Sequence, residues 1–173
     1  MSTQEDWADR HVARWRDHWL DVSFEDDVEA IVVRMSRLGK HFGAATKQAL
    51  AEVGLQDFEY RTLHQLMIRD TPGHASPSAL ATDLGISGAG MTGRLDGLEK
   101  AGWIRRRVDA DDRRRVGIEI TPAGTDIWRR AMHLRGKAED EVVHALSQRE
   151  RATLARLLKK MTLIVEADSR HEA

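Results

Sequence analysis

Residues 103–124, WIRRRVDADDRRRVGIEITPAG, constrain this chain more than any other stretch. Val116, Ile118 and Ile120 alternate with Arg115, Gly117 and Glu119, the period-2 pattern of a strand with one face buried. Residues 103–108 form a second strand-favouring run, so the two runs, 103–108 and 115–121, predict a hairpin. Its tip is built from Asp109, Asp111, Asp112, Arg113, Arg114 and Arg115. Thr121, Pro122 and Gly124 then end the hairpin and open a helix, because Thr can cap and Pro suits the first helical position. A hairpin loaded with arginine suits a polyanion, whose phosphates pair with guanidinium groups and whose narrow minor groove attracts them.

The preceding segment sharpens that reading. Ser76, Pro77 and Ser78 give a cap and a Pro-led start for a short helix with apolar Ala79, Leu80 and Leu84, stopped by Gly85. Ser87 caps a second helix in which Met91, Leu95 and Leu98 recur at helical spacing, ending near Ala101 and Gly102. Helix, tight turn, helix and basic hairpin is the order of a winged helix-turn-helix. In that arrangement the second helix presents Ser87, Ala89, Thr92 and Arg94 to the major groove of double-stranded DNA, with Ser76 and Ser78 at the start of the helix before it.

Charge is segregated, not uniform. Residues 103–115 hold six arginines against three aspartates, while the chain as a whole carries a net charge of −1. A local basic patch on a near-neutral protein favours selective docking over general adhesion to nucleic acid.

The run SALATDLGISGAGMTGRLDGLEKAGWIRRRVDADDRRRVGIEITPAG resembles the MarR-type transcriptional regulators. Their hallmark is a recognition helix ending in a Leu-Glu-x-x-Gly-type turn, a D-x-R-D-x-R-like wing and a Val-x-Leu-Thr-x-x-Gly-like exit. The likeness extends in layout over residues 28–165 and is specific at 87–124. Asp111 stands at a wing position that is often arginine in the family, so the resemblance leaves Arg113 or Arg114 to enter the minor groove, with Arg115 beside them. The absence of cysteine excludes disulfides and the thiol-based peroxide sensing of part of the family.

Elsewhere the chain reads as helix, giving a fold class that is mainly α with a small β-hairpin wing. Val28, Ile31, Val32, Met35, Leu38, Phe42, Ala45, Ala49 and Leu50 recur every three or four residues over 25–52, with Gly54 as the stop. Asp57 is the expected cap of the next helix, which runs through Leu63, Leu66 and Met67 to Pro72 and Gly73. Ile127, Ala131, Leu134, Ala138, Val142 and Leu146 predict a further long helix. Ser147 with Glu150 forms a capping box ahead of the last, through Leu154, Leu157, Leu158, Met161 and Ile164. Apolar stripes at both ends have too little core to cover them within one subunit, and a homodimer is the economical solution. The expected organisation is an N-terminal arm over 1–22, a helical dimerisation region from 23–54 and 125–168, and a winged helix-turn-helix lobe over 55–124. Two recognition helices would then face a pseudo-palindromic operator with centres about one helical turn apart.

Trp7, His11, Trp15 and Trp19 step by four, which places them on one face of an N-terminal helix. That face can simply pack on the dimer scaffold, or a tryptophan can also line an effector pocket. Here the resemblance narrows to the urate-responsive branch of the MarR family, which has a similar tryptophan-bearing N-terminal helix. It implies a ligand response through Trp15 or Trp19, Arg61, Arg94 and Arg113. Arg61 stands where that branch carries an acid, and a site of Trp15, Arg61 and Arg94 suits a planar anion such as an aromatic carboxylate. The small-molecule effector would release a repressor from DNA.

Other chemistry has little support. Gly88, Gly90 and Gly93 spell G-x-G-x-x-G, but a dinucleotide site needs a strand before the first glycine and the preceding SALATDLG is helical. Small residues there would instead ease approach to a neighbouring helix or to the DNA backbone. The eight histidines form no tight metal pattern, and no nucleophile, base and orienter cluster together, so no catalytic residues, metal or cofactor are expected. No apolar run approaches the roughly 18 residues of a membrane span, and the first 20 residues are too polar for a signal peptide; a cytoplasmic protein without membrane contact is expected. Two other readings stay open: a winged-helix protein-interaction module with its arginines on an acidic partner, and a nucleotide-binding enzyme.

Overall fold

A computed structural model describes residues 4–16, 25–108 and 116–169. The elements run α1 (Trp7–Arg16), α2 (Asp26–Val53), α3 (Asp57–Met67), β1 (His74–Ala75), α4 (Pro77–Leu84), α5 (Gly88–Lys100), β2 (Ile104–Val108), β3 (Val116–Ile120), α6 (Pro122–Val143) and α7 (Gln148–Ser169). The architecture is mainly helical with one small antiparallel sheet. It divides into two compact units, residues 1–131 and 132–173.

In the first unit the core is made by the apolar faces of α3, α4 and α5 and by the inner face of the sheet. Leu63, Leu66, Leu80, Met91, Leu95, Leu98 and Ile118 are essentially sealed from solvent. The hairpin pairs Ile104 with Ile120, Arg106 with Ile118 and Val108 with Val116, so these share one face while Arg105, Arg107, Gly117 and Glu119 share the other. Ile104 and Ile118 are the buried positions of the inner face.

Local chemistry sets the boundaries. Ser76 and Ser87 cap α4 and α5 as the sequence predicts, and Gly85 stops α4 in a left-handed conformation. Thr121 Oγ1 accepts the Gly124 N–H at 3.0 Å and donates to the Gly102 carbonyl at 2.7 Å, tying the hairpin exit to the end of α5. A Cβ at Gly124 would overlap the Trp103 carbonyl, so only glycine fits this close approach. Ser147 and Glu150 form the expected reciprocal cap of α7.

Three expectations change. The cap of α3 is Gln56, whose side chain forms a capping box with Glu59, and Asp57 is the first helical residue. Leu146 lies past the end of α6, which stops at Val143. The hairpin gains a third strand: β1 pairs with β3, giving the order β1-β3-β2. Gly73, read as a breaker, makes that strand possible. Its φ of 83° turns the chain onto the sheet, and a Cβ there would come within 2.8 Å of Ile120.

Helix α1 packs Ala8 and Val12 inward and lies along α2. Arg34 holds it through Asp6 and Asp9, at 2.9 Å and 2.6 Å. The Asp6 carboxyl is held down at about 2, chiefly by its hydrogen bond from Arg34. In the second unit no described residue is buried. No helix among the described residues is long and apolar enough to cross a membrane.

Candidate nucleic-acid interface

The helix predicted to read DNA is α5. Burying Met91, Leu95 and Leu98 fixes its rotation and turns Ser87, Ala89 and Thr92 to solvent. Ser87 Oγ accepts the Gly90 N–H at 3.1 Å, and Thr92 Oγ1 donates to the Gly88 carbonyl at 3.0 Å. Ser76 and Ser78 are exposed at the start of α4 with their hydroxyls 3.1 Å apart. Arg94 is half-buried: its guanidinium lies over the Phe58 ring, 5.6 Å from the centroid. Phe58 belongs to α3 and was not singled out in the sequence, because an aromatic residue in a first helical turn carries no signal of the arginine that will cover it.

A Cβ built at Gly88, Gly93 or Gly97 meets nothing within 4 Å. Packing within the chain therefore does not require these glycines, and α5 is a helix with a low, open surface. Each glycine weakens a helix by about 0.5–1 kcal/mol relative to alanine, so the surrounding core must hold α5 in place. Because α4, not a strand, precedes Gly88, the glycine run lacks the context of a dinucleotide site.

The arginines of the hairpin fall into two groups. Arg113, Arg114 and Arg115 lie outside the described residues. The three on β2 are paired within the chain. Arg105 donates to both oxygens of Glu119, at 2.8 Å and 2.6 Å, and Arg107 reaches the same carboxylate at 2.6 Å. The Arg105 fork, helped by Arg107, holds the Glu119 carboxyl down at about 2. On the opposite face Arg106 donates to Glu99 at 2.5 Å and to Asp96 at 2.6 Å, both on α5. Half of the hairpin's arginine charge is thus balanced internally, which a count of charges along the sequence does not reveal.

The residues implied in ligand response have separate described neighbours. On α1, Trp7 stacks on His11 at 5.0 Å, and Trp15 meets the His11 ring edge-on at 6.0 Å. His11 Nε2 lies 2.9 Å from a Glu29 oxygen, and Arg37 sits over Trp7 at 5.4 Å. Trp19 lies outside the described residues. Arg61 is exposed on α3, 4.0 Å from Asp57 one turn away. Sequence reasoning also missed a polar and aromatic link from α3 to α6: Tyr60 stacks on His64, and Trp128 Nε1 donates to His64 Nδ1 at 3.3 Å. Among the described residues no group of three His, Asp or Glu is placed to hold a metal.

Comparison with known proteins agrees with this geometry. The profile of the MarR family matches residues 53–115, from the end of α2 past β2 to the residue before β3. The HTH-type transcriptional regulator PecS of Dickeya dadantii is 31% identical over 152 residues, which is 87% of this chain and 89% of that protein. The transcriptional repressor MprA of Escherichia coli is 33% identical over 85 residues, about half of each chain (49% and 48%). Among solved structures, YusO of Bacillus subtilis superposes with a TM-score of 0.70 at 18% identity, covering 82% of this chain and 99% of that one. MepR of S. aureus, solved in complex with DNA, superposes with a TM-score of 0.59 at 25% identity, covering 77% of this chain and 95% of that one.

Proposed function

The chain belongs to the MarR family of transcriptional regulators, and from that premise we propose that it is a homodimeric repressor, released from a pseudo-palindromic operator by a small anionic aromatic ligand. The observation that carries the reading is α5: a Ser-capped helix, rotationally fixed by three sealed apolar residues, with Ser87, Ala89 and Thr92 exposed and Arg94 at its flank. Side chains so placed reach base edges, while Ser76, Ser78 and the tip arginines Arg113, Arg114 and Arg115 position the lobe on phosphates and in the minor groove. The two related regulators, PecS and the repressor MprA, support gene control over enzymatic chemistry.

Dimerisation is supported by burial. Val28, Ile31, Val32, Met35 and Leu38 on α2, and Leu154, Leu157, Leu158, Met161, Ile164 and Val165 on α7, are large, apolar and exposed. A 22-residue helix with no buried side chain needs a partner to be worth forming. Residues 23–54 and 125–168 supply that partner surface, and 55–124 supply the reading lobe. Trp15 and Trp19 with Arg61 and Arg94 bind the effector, aromatic faces and guanidinium groups being suited to a planar carboxylate.

A single set of titrations tests this. DNA affinity should fall steeply with salt, with a log–log slope of roughly −5 for about six phosphate contacts per dimer. Salicylate-like carboxylates should perturb tryptophan fluorescence and release DNA. Linkage requires equal factors: a ligand that weakens DNA binding about tenfold must bind the DNA complex about tenfold more weakly. A flat salt response refutes DNA binding by these arginines, and fluorescence changes without DNA release refute the ligand.

A further inference from the structure

We propose that Arg106 is a positioning residue that locks the hairpin to the recognition helix, so that helix and wing meet DNA as one rigid reader. This rests on the DNA-binding function proposed above. In the order β1-β3-β2, strand β2 is an edge, and the backbone N–H of Arg106 points away from β3. It is donated to Glu99 Oε1 at 3.0 Å. The guanidinium of the same residue donates to Glu99 Oε2 at 2.5 Å and to Asp96 Oδ1 at 2.6 Å. Asp96 and Glu99 are three residues apart on α5 and so share a face of that helix.

The geometry specifies both place and direction. One carboxylate, Glu99, takes the backbone and the side chain of one residue, which fixes the strand's height along α5 as well as its angle. Asp96 adds a second charged contact one turn back. Behind this clasp, Ile104 and Ile118 on the same face of the sheet are buried, as are Leu95 and Leu98 on α5. The Arg106 side chain is 29% exposed and Glu99 38%, so this pair is partly shielded from water, while Asp96, 61% exposed, adds a contact that solvent screens more strongly. Arg105 and Arg107 cannot do the same work, because they face the other side of the sheet and pair with Glu119 inside it. Of the three β2 arginines, Arg106 alone ties the sheet to the helix.

A wing pre-oriented in this way binds its groove as the second contact of an already docked ligand, and loosening its base lowers the effective concentration of that contact. The test uses the full-length dimer and a duplex enriched from random DNA. Arg106→Ala should weaken binding about tenfold, and Glu99→Ala should do likewise. In an Arg113→Ala background, each should add less than about a twofold loss, since the contact they orient is already gone. Melting temperatures identify a folding defect. If Arg106→Ala does not fold, Glu99→Ala carries the cycle. Binding by Arg106→Ala within about twofold of wild type would overturn the proposal, as would a full additional loss in the Arg113→Ala background, which would make Arg106 a direct DNA ligand or a general stabiliser. Should the wild type bind no DNA, the functional reading falls, and the clasp is then judged by hydrogen exchange. The Arg106 amide must be protected in the wild type and lose protection in Glu99→Ala, and equal exchange in the two would overturn it.

Discussion

On α5, Met91, Leu95 and Leu98 are at most 1% exposed, whereas Val28, Ile31, Val32, Met35 and Leu38 on α2, spaced just as regularly, are 42–52% exposed. Both helices are amphipathic by sequence, but among the described residues α5 has its apolar stripe sealed while α2, which packs on α1, leaves this stripe exposed. The apolar faces of α3, α4, α5 and the sheet close a core with one another. The long helices α2 and α7 carry apolar stripes of similar quality whose large side chains are exposed. Periodicity states that a face must be buried; it does not state whose atoms will bury it.

That contrast can be broken by a pair of substitutions. Leu98→Ala should destabilise the lobe by about 2–5 kcal/mol, the range for a sealed leucine, in a manner independent of protein concentration. Leu157→Glu should leave the lobe folded while raising the dimer dissociation constant by roughly a hundredfold, about 3 kcal/mol for placing a charge in an apolar interface. Thermal melts at several concentrations, with light scattering, separate the two. Loss of association in Leu98→Ala with unchanged association of Leu157→Glu would reverse the assignment.

Within the lobe, the contrast between helix and wing predicts a smaller pair of effects. Arg113→Ala should weaken binding to all sequences by about 1–3 kcal/mol and reduce the salt slope. Arg94→Ala should lower discrimination at one base pair by about 1–3 kcal/mol with little change on random DNA. Competition binding with single-base variants checks this, and an equal loss on specific and random duplexes would remove Arg94 from base reading.

Much of the lobe was legible in the sequence because its signals are local. Ser76, Ser87 and Thr121 cap helices with their own hydroxyls, and Gly85 stops one within a residue of its expected place. The period of Met91, Leu95 and Leu98 fixed the buried face of α5. What stayed hidden is tertiary. Strand β1 is two residues long and too short to show a period, and Gln56 is not among the usual capping residues. The arginines of β2 looked like free charge because their partners lie far along the chain: Glu119 is 14 residues from Arg105, and Asp96 is 10 residues from Arg106. Phe58, which carries Arg94, is more distant still in sequence. The predicted DNA contacts at Arg113, Arg114 and Arg115 and the predicted ligand contact at Trp19 fall outside the described residues.

The internal pairing of the wing predicts the smallest effect. Glu119 has its carboxyl held at about 2, below its ordinary 4.5, by Arg105 and Arg107. A depressed carboxyl contributes stability above its unfolded value and loses it as pH falls toward the folded one. The melting-temperature difference between wild type and Glu119→Gln should therefore be constant from neutral pH to about 5 and shrink between 4.5 and about 2. A difference that has already vanished by pH 5 would show that Glu119 is not held by its arginines in solution.

Selection of bound fragments from random double-stranded DNA by the purified protein tests the central claim most directly, because the proposed homodimer, with one reading lobe in each protomer, would read DNA with two-fold symmetry. Enrichment of an inverted repeat with half-site centres about one helical turn apart, about 10 base pairs, bound by two protomers per duplex, is the predicted result. Recovery of a single unrepeated site bound by one protomer, or of no enriched sequence at all, would contradict it.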